Sequence, residues 1–174
     1  MAKLTKLDYD KLFCSYGKKY GIKKLILKAV AVCESALDER AYRFEPGFWD
    51  KYLKNNPEWN KRDPAEVSAS YGLMQLMYPT ATNLGFSGSG EDLYNPVYNI
   101  ELGAKLLRRN LNRIYDLGLH MNTQNLPIEI ALARYNGGTW KNPDKNGELR
   151  NIKYVKKVMR KWFELHKLEK ECDD

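Results

Sequence analysis

One carboxylate, Glu34, stands in an otherwise apolar helical segment, and its position makes it a candidate for acid chemistry. The apolar residues around it recur at the three- and four-residue spacing of an amphipathic helix: Ile22, Leu25, Ile26, Ala29, Val30, Cys33 and Leu37. Burial disfavours the charged form of a carboxyl group, so Glu34 is a candidate general acid. The alternative is a structural carboxylate, either partly solvated at a helix end or paired with a nearby arginine.

A second stretch, Gly72-Leu73-Met74-Gln75, combines a glycine with one amide side chain. Gly72 would allow close approach of the backbone to a ligand, and Gln75 offers a donor and an acceptor suited to sugar hydroxyl and acetamido groups. The competing interpretation is core packing, since Leu73 and Met74 would pack well in any helical protein.

Two further stretches carry side chains that suit a glycan. Tyr135 and Asn136 precede a pair of glycines at a predicted helix end. The Tyr135 phenol could orient Glu34, or the stretch could simply be the end of a helix terminated by glycine. Residues 43–49 are rich in aromatic side chains and include Glu45, a possible second carboxylate. The aromatic rings could stack on sugars or pack against one another.

Helices are the elements that must position these residues. Helical spacing, and prolines that follow capping residues, predict roughly seven helices over residues 7–20, 22–37, 96–115, 127–137 and 148–166, with shorter ones starting near 64 and 79. An ordered aromatic excursion over residues 38–63 holds a short helix near 47–54. No segment alternates as a strand does. The prediction is an all-α domain spanning 1–174.

Composition narrows the classes of function. The net charge of +7 favours polyanions such as nucleic acid, anionic lipid or cell-wall polymer. No apolar run is long enough to span a membrane, and the N-terminus lacks the apolar core of a signal peptide, so synthesis in a cytoplasm is expected. The odd number of cysteines, Cys14, Cys33 and Cys172, predicts free thiols in a reducing compartment. His120 and His166 are isolated, so neither a metal site nor another cofactor is expected.

Motifs in a fixed order make a family resemblance specific. Across roughly residues 22–160 the chain resembles the soluble lytic transglycosylase (SLT) domain of the lysozyme-like superfamily. The motifs that carry the resemblance are Glu34-Ser35, Gly-Leu-Met-Gln-Leu-Met at 72–77, Pro-Thr-Ala at 79–81, Asn99-Ile100, Gly-Ala-Lys-Leu-Leu at 103–107, Ala-Arg-Tyr-Asn-Gly-Gly at 133–138, and Asn151 with Tyr-Val-Lys-Lys-Val at 154–158.

The resemblance implies a fold of the goose-lysozyme and SLT type and a peptidoglycan substrate, cut between N-acetylmuramic acid and N-acetylglucosamine. The family's single acid/base falls on Glu34, with Ser35 holding the site. The substrate-binding positions fall on Ser35, Gly72, Leu73, Met74, Gln75, Tyr135 and Asn136. In the family's mechanism the muramoyl C6 hydroxyl closes on C1, giving a 1,6-anhydro end without water. The substrate's acetamido group is thought to stabilise the cation, so one carboxylate suffices. Glycan strands are the expected partner of a monomer.

Departures from the family pattern leave alternatives. The gap between Glu34 and Gly72 exceeds that of the shortest members, and Arg-Phe-Glu-Pro at 43–46 resembles phage-encoded members, which act at lysis or from a virion. Glu45 or Glu66 could instead activate water, as in a hydrolytic muramidase of the goose-lysozyme kind. A glycan-binding module that does not cut is a further hypothesis. Charge alone suggests a nucleic-acid binder, and no recognition motif supports one.

Overall fold

Helices dominate the computed structural model, which describes residues 6–121, 123–138, 143–144 and 147–172. The described residues form these α-helices: α1 (Lys6–Tyr20), α2 (Lys24–Ser35), α3 (Pro46–Phe48), α4 (Pro64–Val67), α5 (Tyr78–Thr82), α6 (Pro96–Asp116), α7 (Pro127–Gly137) and α8 (Ile152–Leu168). A π-helical turn follows α3 at Trp49–Leu53, and a 3₁₀ turn precedes α6 at Glu91–Tyr94. The predicted all-α class is therefore confirmed.

The five long helices α1, α2, α6, α7 and α8 pack around one apolar core. α6 begins where predicted, because the Asn95 side chain accepts a hydrogen bond from the Val97 amide and Pro96 occupies the first turn. One face of α6 is buried along its length and meets α1, α2 and α7. This helix consequently forms the inner wall against which the site is built.

A small antiparallel sheet of three strands, in the order β1-β2-β3, lies beside the helices: β1 (Tyr42–Phe44), β2 (Ala69–Tyr71) and β3 (Leu76–Met77). Tyr42 pairs with Tyr71, and Ser70 pairs with Met77. The expectation of no strands was wrong. β1 is exposed at every position and β2 is buried at every position, so neither shows the alternation by which a strand is recognised.

The aromatic excursion between α2 and α4 is ordered, as predicted, because it covers a second apolar cluster. Trp59 packs its ring edge-on against Tyr78, with ring centroids 6.0 Å apart. Leu53 of the π-helical turn and Val67 of α4 are buried in the same cluster. The β-sheet and its flanking turns are thus supported by a core of their own.

The two ends of the described chain are joined covalently. Cys14 of α1 and Cys172 form a disulfide, so the expectation of three free thiols was wrong for this pair, whereas Cys33 is a free thiol. The distance along the chain hid the pairing, since the two Cα atoms are 5.7 Å apart in space. The nearly buried Lys28 holds the same tail by bridging Asp10 and Glu169. Among the described residues, no helix is long and apolar enough to cross a bilayer.

We expect Cys14→Ser to lower the free energy of unfolding by about 2–5 kcal/mol under oxidising conditions, because the loop that the disulfide closes is long. Urea unfolding with and without reductant measures this. Fully reduced wild type and variant should unfold at the same urea concentration. Cys33→Ser serves as the matched control and should leave the redox-dependent difference intact; equal stability of oxidised wild type and Cys14→Ser would contradict the prediction.

Candidate active site

The Glu34 carboxyl group sits half-buried at the C-terminal end of α2. Burial raises its pKa above the ordinary range, while a hydrogen bond from Tyr154 and the positive charges of Arg43 and Lys157 act in the opposite direction. The Tyr154 hydroxyl donates to Glu34 Oε1 at 2.7 Å, reaching across from α8. The carboxyl group therefore holds its proton more strongly than an exposed glutamate does. Its ionised form is nevertheless stabilised by the Tyr154 hydrogen bond and the two positive charges.

The backbone immediately after Glu34 is strained. Ala36 and Leu37 have φ values of 55° and 65°, the left-handed region in which residues with a Cβ are disfavoured by about 1–2 kcal/mol each. Gln75, at φ 47°, completes the set of such non-glycine residues in the described part of the chain. Gln75 belongs to the turn of residues 72–75, and Ala36 and Leu37 follow Ser35, which is bonded to that turn, a concentration typical of functional sites.

The turn formed by residues 72–75 is fastened to α2 by Ser35. The Ser35 hydroxyl bonds to the Leu73 carbonyl oxygen at 2.8 Å and to the Ala31 carbonyl oxygen at 3.2 Å. Gly72 has a φ of 70°, and a Cβ there would lie 2.6 Å from Asn99 Nδ2. Only glycine fits this position, which explains the residue that the sequence singled out.

Asn99 ties the same turn to α6. Its fully buried side chain accepts a hydrogen bond from the Met74 amide at 2.7 Å and donates to the carbonyl oxygens of Tyr71 and Leu93 at 2.9 and 2.8 Å. The Met74 side chain packs directly over Gly103, where a Cβ would lie 2.3 Å from the sulfur. The turn is consequently fixed on both its polar and its apolar side.

Tyr135 reaches the turn from α7. Its hydroxyl donates to the Met74 carbonyl oxygen at 2.7 Å. Burial, and then the negative charge of Glu34, raise the pKa of the phenol, so it stays protonated at neutral pH. The Tyr135 hydroxyl is bonded to the turn, whereas the hydroxyl bonded to Glu34 is that of Tyr154. Tyr135 is therefore a fixed neutral donor.

The remaining predicted residues serve mainly to hold the turn. The Leu73 and Met74 side chains are fully buried, so their carbonyl oxygens rather than their side chains meet Ser35 and Tyr135. Gln75 Nε2 donates to the carbonyl oxygens of Ala41 and Gly72, both at 3.1 Å. Whether these residues bind substrate stays a prediction.

The exposed Asn136 joins α7 to the start of α8. Its Oδ1 accepts a hydrogen bond from Asn151 Nδ2 at 3.1 Å, and the same nitrogen donates to the Ala133 carbonyl oxygen at 2.7 Å. This link sets the position of the first turn of α8, which carries Tyr154. A substrate-binding role for Asn136 also remains a prediction.

The site thus joins segments from five distant parts of the chain, in the order that the motifs have in the sequence. A family model of the transglycosylase SLT domain matches residues 11–157, most of the chain. The chain belongs to this family. The match covers each of the segments described above.

Two known proteins resemble this SLT domain. A transglycosylase of Enterobacteria phage PRD1 is 36% identical over 98 residues, which are 56% of this chain and 31% of the phage protein. The 70 kDa soluble lytic transglycosylase of Escherichia coli shares the fold, with a TM-score of 0.61 and 22% identity, over 95% of this chain and 25% of that one. The chain therefore spans about a third or less of these two relatives.

Tyr154, like Asn99, is a residue of the site to which sequence reasoning gave no role. Tyr154 lies in the motif at 154–158 of the last helix, which by itself predicts no part in the site. Its neighbour Val155 and the next inward residue Val158 are fully buried, so a tyrosine beside them was a candidate for a half-buried polar contact. The partner could not be found, because Glu34 lies 120 residues earlier.

The two additional carboxylates of the SLT domain occupy different surroundings. Glu45 is paired with Arg43, Nε to Oε1 at 2.5 Å, and Arg43 also acts on the pKa of Glu34. Glu66 pairs with Arg62 at 3.0 Å and accepts from the Gly90 amide at 3.3 Å, beside the second apolar cluster. Within the described ranges no group of three or more His, Cys, Asp or Glu is arranged to hold a metal ion.

We expect Tyr154→Phe to raise the pKa of Glu34, because the lost hydrogen bond stabilises the ionised carboxylate. NMR titration of ¹³C-labelled glutamate side chains measures that pKa without any substrate. Tyr135→Phe is the matched control, since its hydroxyl bonds to the Met74 carbonyl rather than to Glu34. An unchanged or lowered Glu34 pKa in Tyr154→Phe would show that the hydrogen bond does not exist in solution.

Proposed function

We propose that this SLT domain is a peptidoglycan lytic transglycosylase in which Glu34 is the acid/base. The observation that carries the proposal is the half-buried carboxyl group on the Glu-Ser motif, with a raised pKa and a tyrosine hydroxyl bonded to it. Family membership supports the reaction class. The substrate bond is the β-1,4 linkage between N-acetylmuramic acid and N-acetylglucosamine.

The proposed reaction uses both protonation states of Glu34. The protonated carboxyl first gives its proton to the glycosidic oxygen, and the bond from that oxygen to muramoyl C1 breaks. The carboxylate then takes the proton of the C6 hydroxyl as that oxygen bonds to C1, which restores the acid and leaves a 1,6-anhydro end. Burial favours the first state, whereas the Tyr154 hydroxyl favours the second.

Two features bear on where the domain works. The Cys14–Cys172 disulfide is typical of proteins that function outside a reducing cytoplasm. One relative is a phage protein, which supports the proposal that the domain is made in a host cytoplasm and reaches the wall after release or as part of a virion. We propose further that it acts on glycan strands as a monomer.

Glu34→Gln should reduce cleavage of purified peptidoglycan by at least about a hundredfold, since general acid–base groups contribute that much or more. Mass spectrometry of the soluble products identifies the reaction. Anhydromuramoyl ends support the transglycosylase, whereas reducing ends support a muramidase. Wild-type protein that binds peptidoglycan and releases no fragments would identify a glycan-binding module.

The stability of the same variant shows whether it is folded. Because the folded-state pKa of Glu34 is raised, its stabilising contribution is full in acid and is lost as pH rises through that pKa. Glu34→Gln should therefore unfold at a higher temperature than wild type at about pH 7, and the difference should shrink at acid pH. A variant that is inactive and less stable at neutral pH would leave no conclusion about chemistry, and Glu34→Asp would then replace it.

Glu45→Gln should leave the anhydro product unchanged and alter the rate by less than about threefold, because Glu45 is held by Arg43 and the transglycosylase reaction needs no second base. The measurement is the ratio of anhydro to reducing ends at matched extents of digestion. Glu66→Gln is the control, because it removes another carboxylate that is already held, in this case by Arg62 and the Gly90 amide. Loss of a reducing-end product specifically in Glu45→Gln would assign Glu45 as the base of a hydrolase.

A further inference from the structure

The outer face of α6 carries a row of basic side chains. Lys105, Arg108, Arg109 and Arg113 follow the spacing of one helix face, and within the described residues none of the four forms an ion pair with a carboxylate. Most surface arginines and lysines near acidic residues lose part of their field to those neighbours. Lys105 shares part of its field with Glu101, whose pKa it helps to lower, so the three arginines carry the charge that is open to a partner in solution.

The row borders a pair of adjoining clefts that share Tyr20, Leu84 and Lys105. Each cleft has a volume of about 470 Å³. The first holds the Phe86 and Tyr98 rings, whose centroids are 5.9 Å apart, and the Tyr98 ring is 45% exposed. The second is lined by the arginines of the row together with two amide side chains and the carboxylate of Asp116. The first also holds the carboxylates of Asp92 and Glu101, which are engaged by Ser89 and Lys19.

The walls of the clefts are held in place by the basic residues themselves. Lys105 Nζ donates to the Leu84 carbonyl oxygen at 2.6 Å, which fixes the segment after α5 against α6. Arg108 Nε donates to the Tyr20 carbonyl oxygen at 2.5 Å and its Nη2 donates to the Gly21 carbonyl oxygen, which fixes the end of α1. These acceptors are neutral, so the positive charge is retained while the surface is ordered.

The clefts and the Glu34 site lie on opposite faces of α6. Met74 of the catalytic turn packs on Gly103, and Lys105 is two residues further along, about 200° around the helix. No described residue of the Glu34 site lines either cleft. A ligand in the clefts would therefore leave the catalytic turn accessible.

We propose that these clefts form a second binding site for peptidoglycan, which takes a glycan strand with carboxylate-bearing peptides while another strand, or another part of the same one, occupies the Glu34 site. Aromatic rings suit sugar faces, and arginines suit carboxylates. The inference rests on the proposed function, which supplies a polymer of this chemistry. Two attachments to one insoluble mesh raise the overall affinity without any change in the chemical step.

Binding is tested apart from catalysis, in the inactive Glu34→Gln protein with insoluble peptidoglycan stripped of attached phosphate polymers. Co-sedimentation at about 0.1 M salt gives the affinity. Arg109→Glu/Arg113→Glu should weaken binding about tenfold, and Arg109→Gln/Arg113→Gln should weaken it in the same direction. Tyr98→Ala should weaken it by several fold even at about 0.5 M salt, since stacking is less screened than charge.

The matched control is Lys153→Glu/Lys156→Glu, which makes the same change in net charge at exposed positions of α8. It should change binding by less than about twofold. Equal weakening by both double variants would overturn the site in favour of general charge attraction. Binding only to walls that retain phosphate polymers, or tighter binding to duplex DNA with the same dependence on Arg109 and Arg113, would overturn the choice of ligand.

A kinetic measurement in the active protein, in which Glu34 is unchanged, completes the test. Arg109→Glu/Arg113→Glu should slow digestion of insoluble walls and leave cleavage of short soluble glycan chains unchanged. Slower cleavage of the soluble chains would show that the row acts on the catalytic turn, which would overturn a separate site. If wild type cut neither substrate the proposed function would fail, and the sedimentation result would still decide the binding site.

Discussion

A single buried amide, that of Asn99, determines where the turn of residues 72–75 lies. It accepts from the Met74 amide and donates to the carbonyl oxygens before and beside the turn, so three backbone groups that water cannot reach are satisfied by one side chain. The nearness of that amide leaves no room for a side chain at position 72. With the turn fixed, the carbonyl oxygens of Leu73 and Met74 are presented to Ser35 and Tyr135.

Glu34 is consequently placed by contacts made at its neighbours in the fold, together with its own hydrogen bond from Tyr154. Ser35, its neighbour in the chain, is bonded to the turn, and Tyr154 is delivered by α8, which the Asn136–Asn151 contact joins to α7. Desolvation of the carboxyl group comes from the packing of the same helices. The strained backbone at Ala36 and Leu37 is tolerated because these surroundings leave it no alternative.

The long helices and the half-buried position of Glu34 could be predicted because each depends on local pattern. Helical spacing around Glu34, and the Asn95-Pro96 pair before α6, are readable from neighbouring residues alone. Strands of two or three residues with uniform burial leave no such pattern, so β1 and β2 were missed. The contact between Glu34 and Tyr154 joins distant positions whose pairing depends on the packed fold.

The Cys14–Cys172 disulfide changes how the chain is connected. Because it joins residues 14 and 172, the peptide chain between them is a closed ring. A protease that cuts this ring once produces two pieces that remain one molecule, with the Lys28 contacts still holding the tail beside α1 and α2. Separation of the fragments requires a second cut or a reductant.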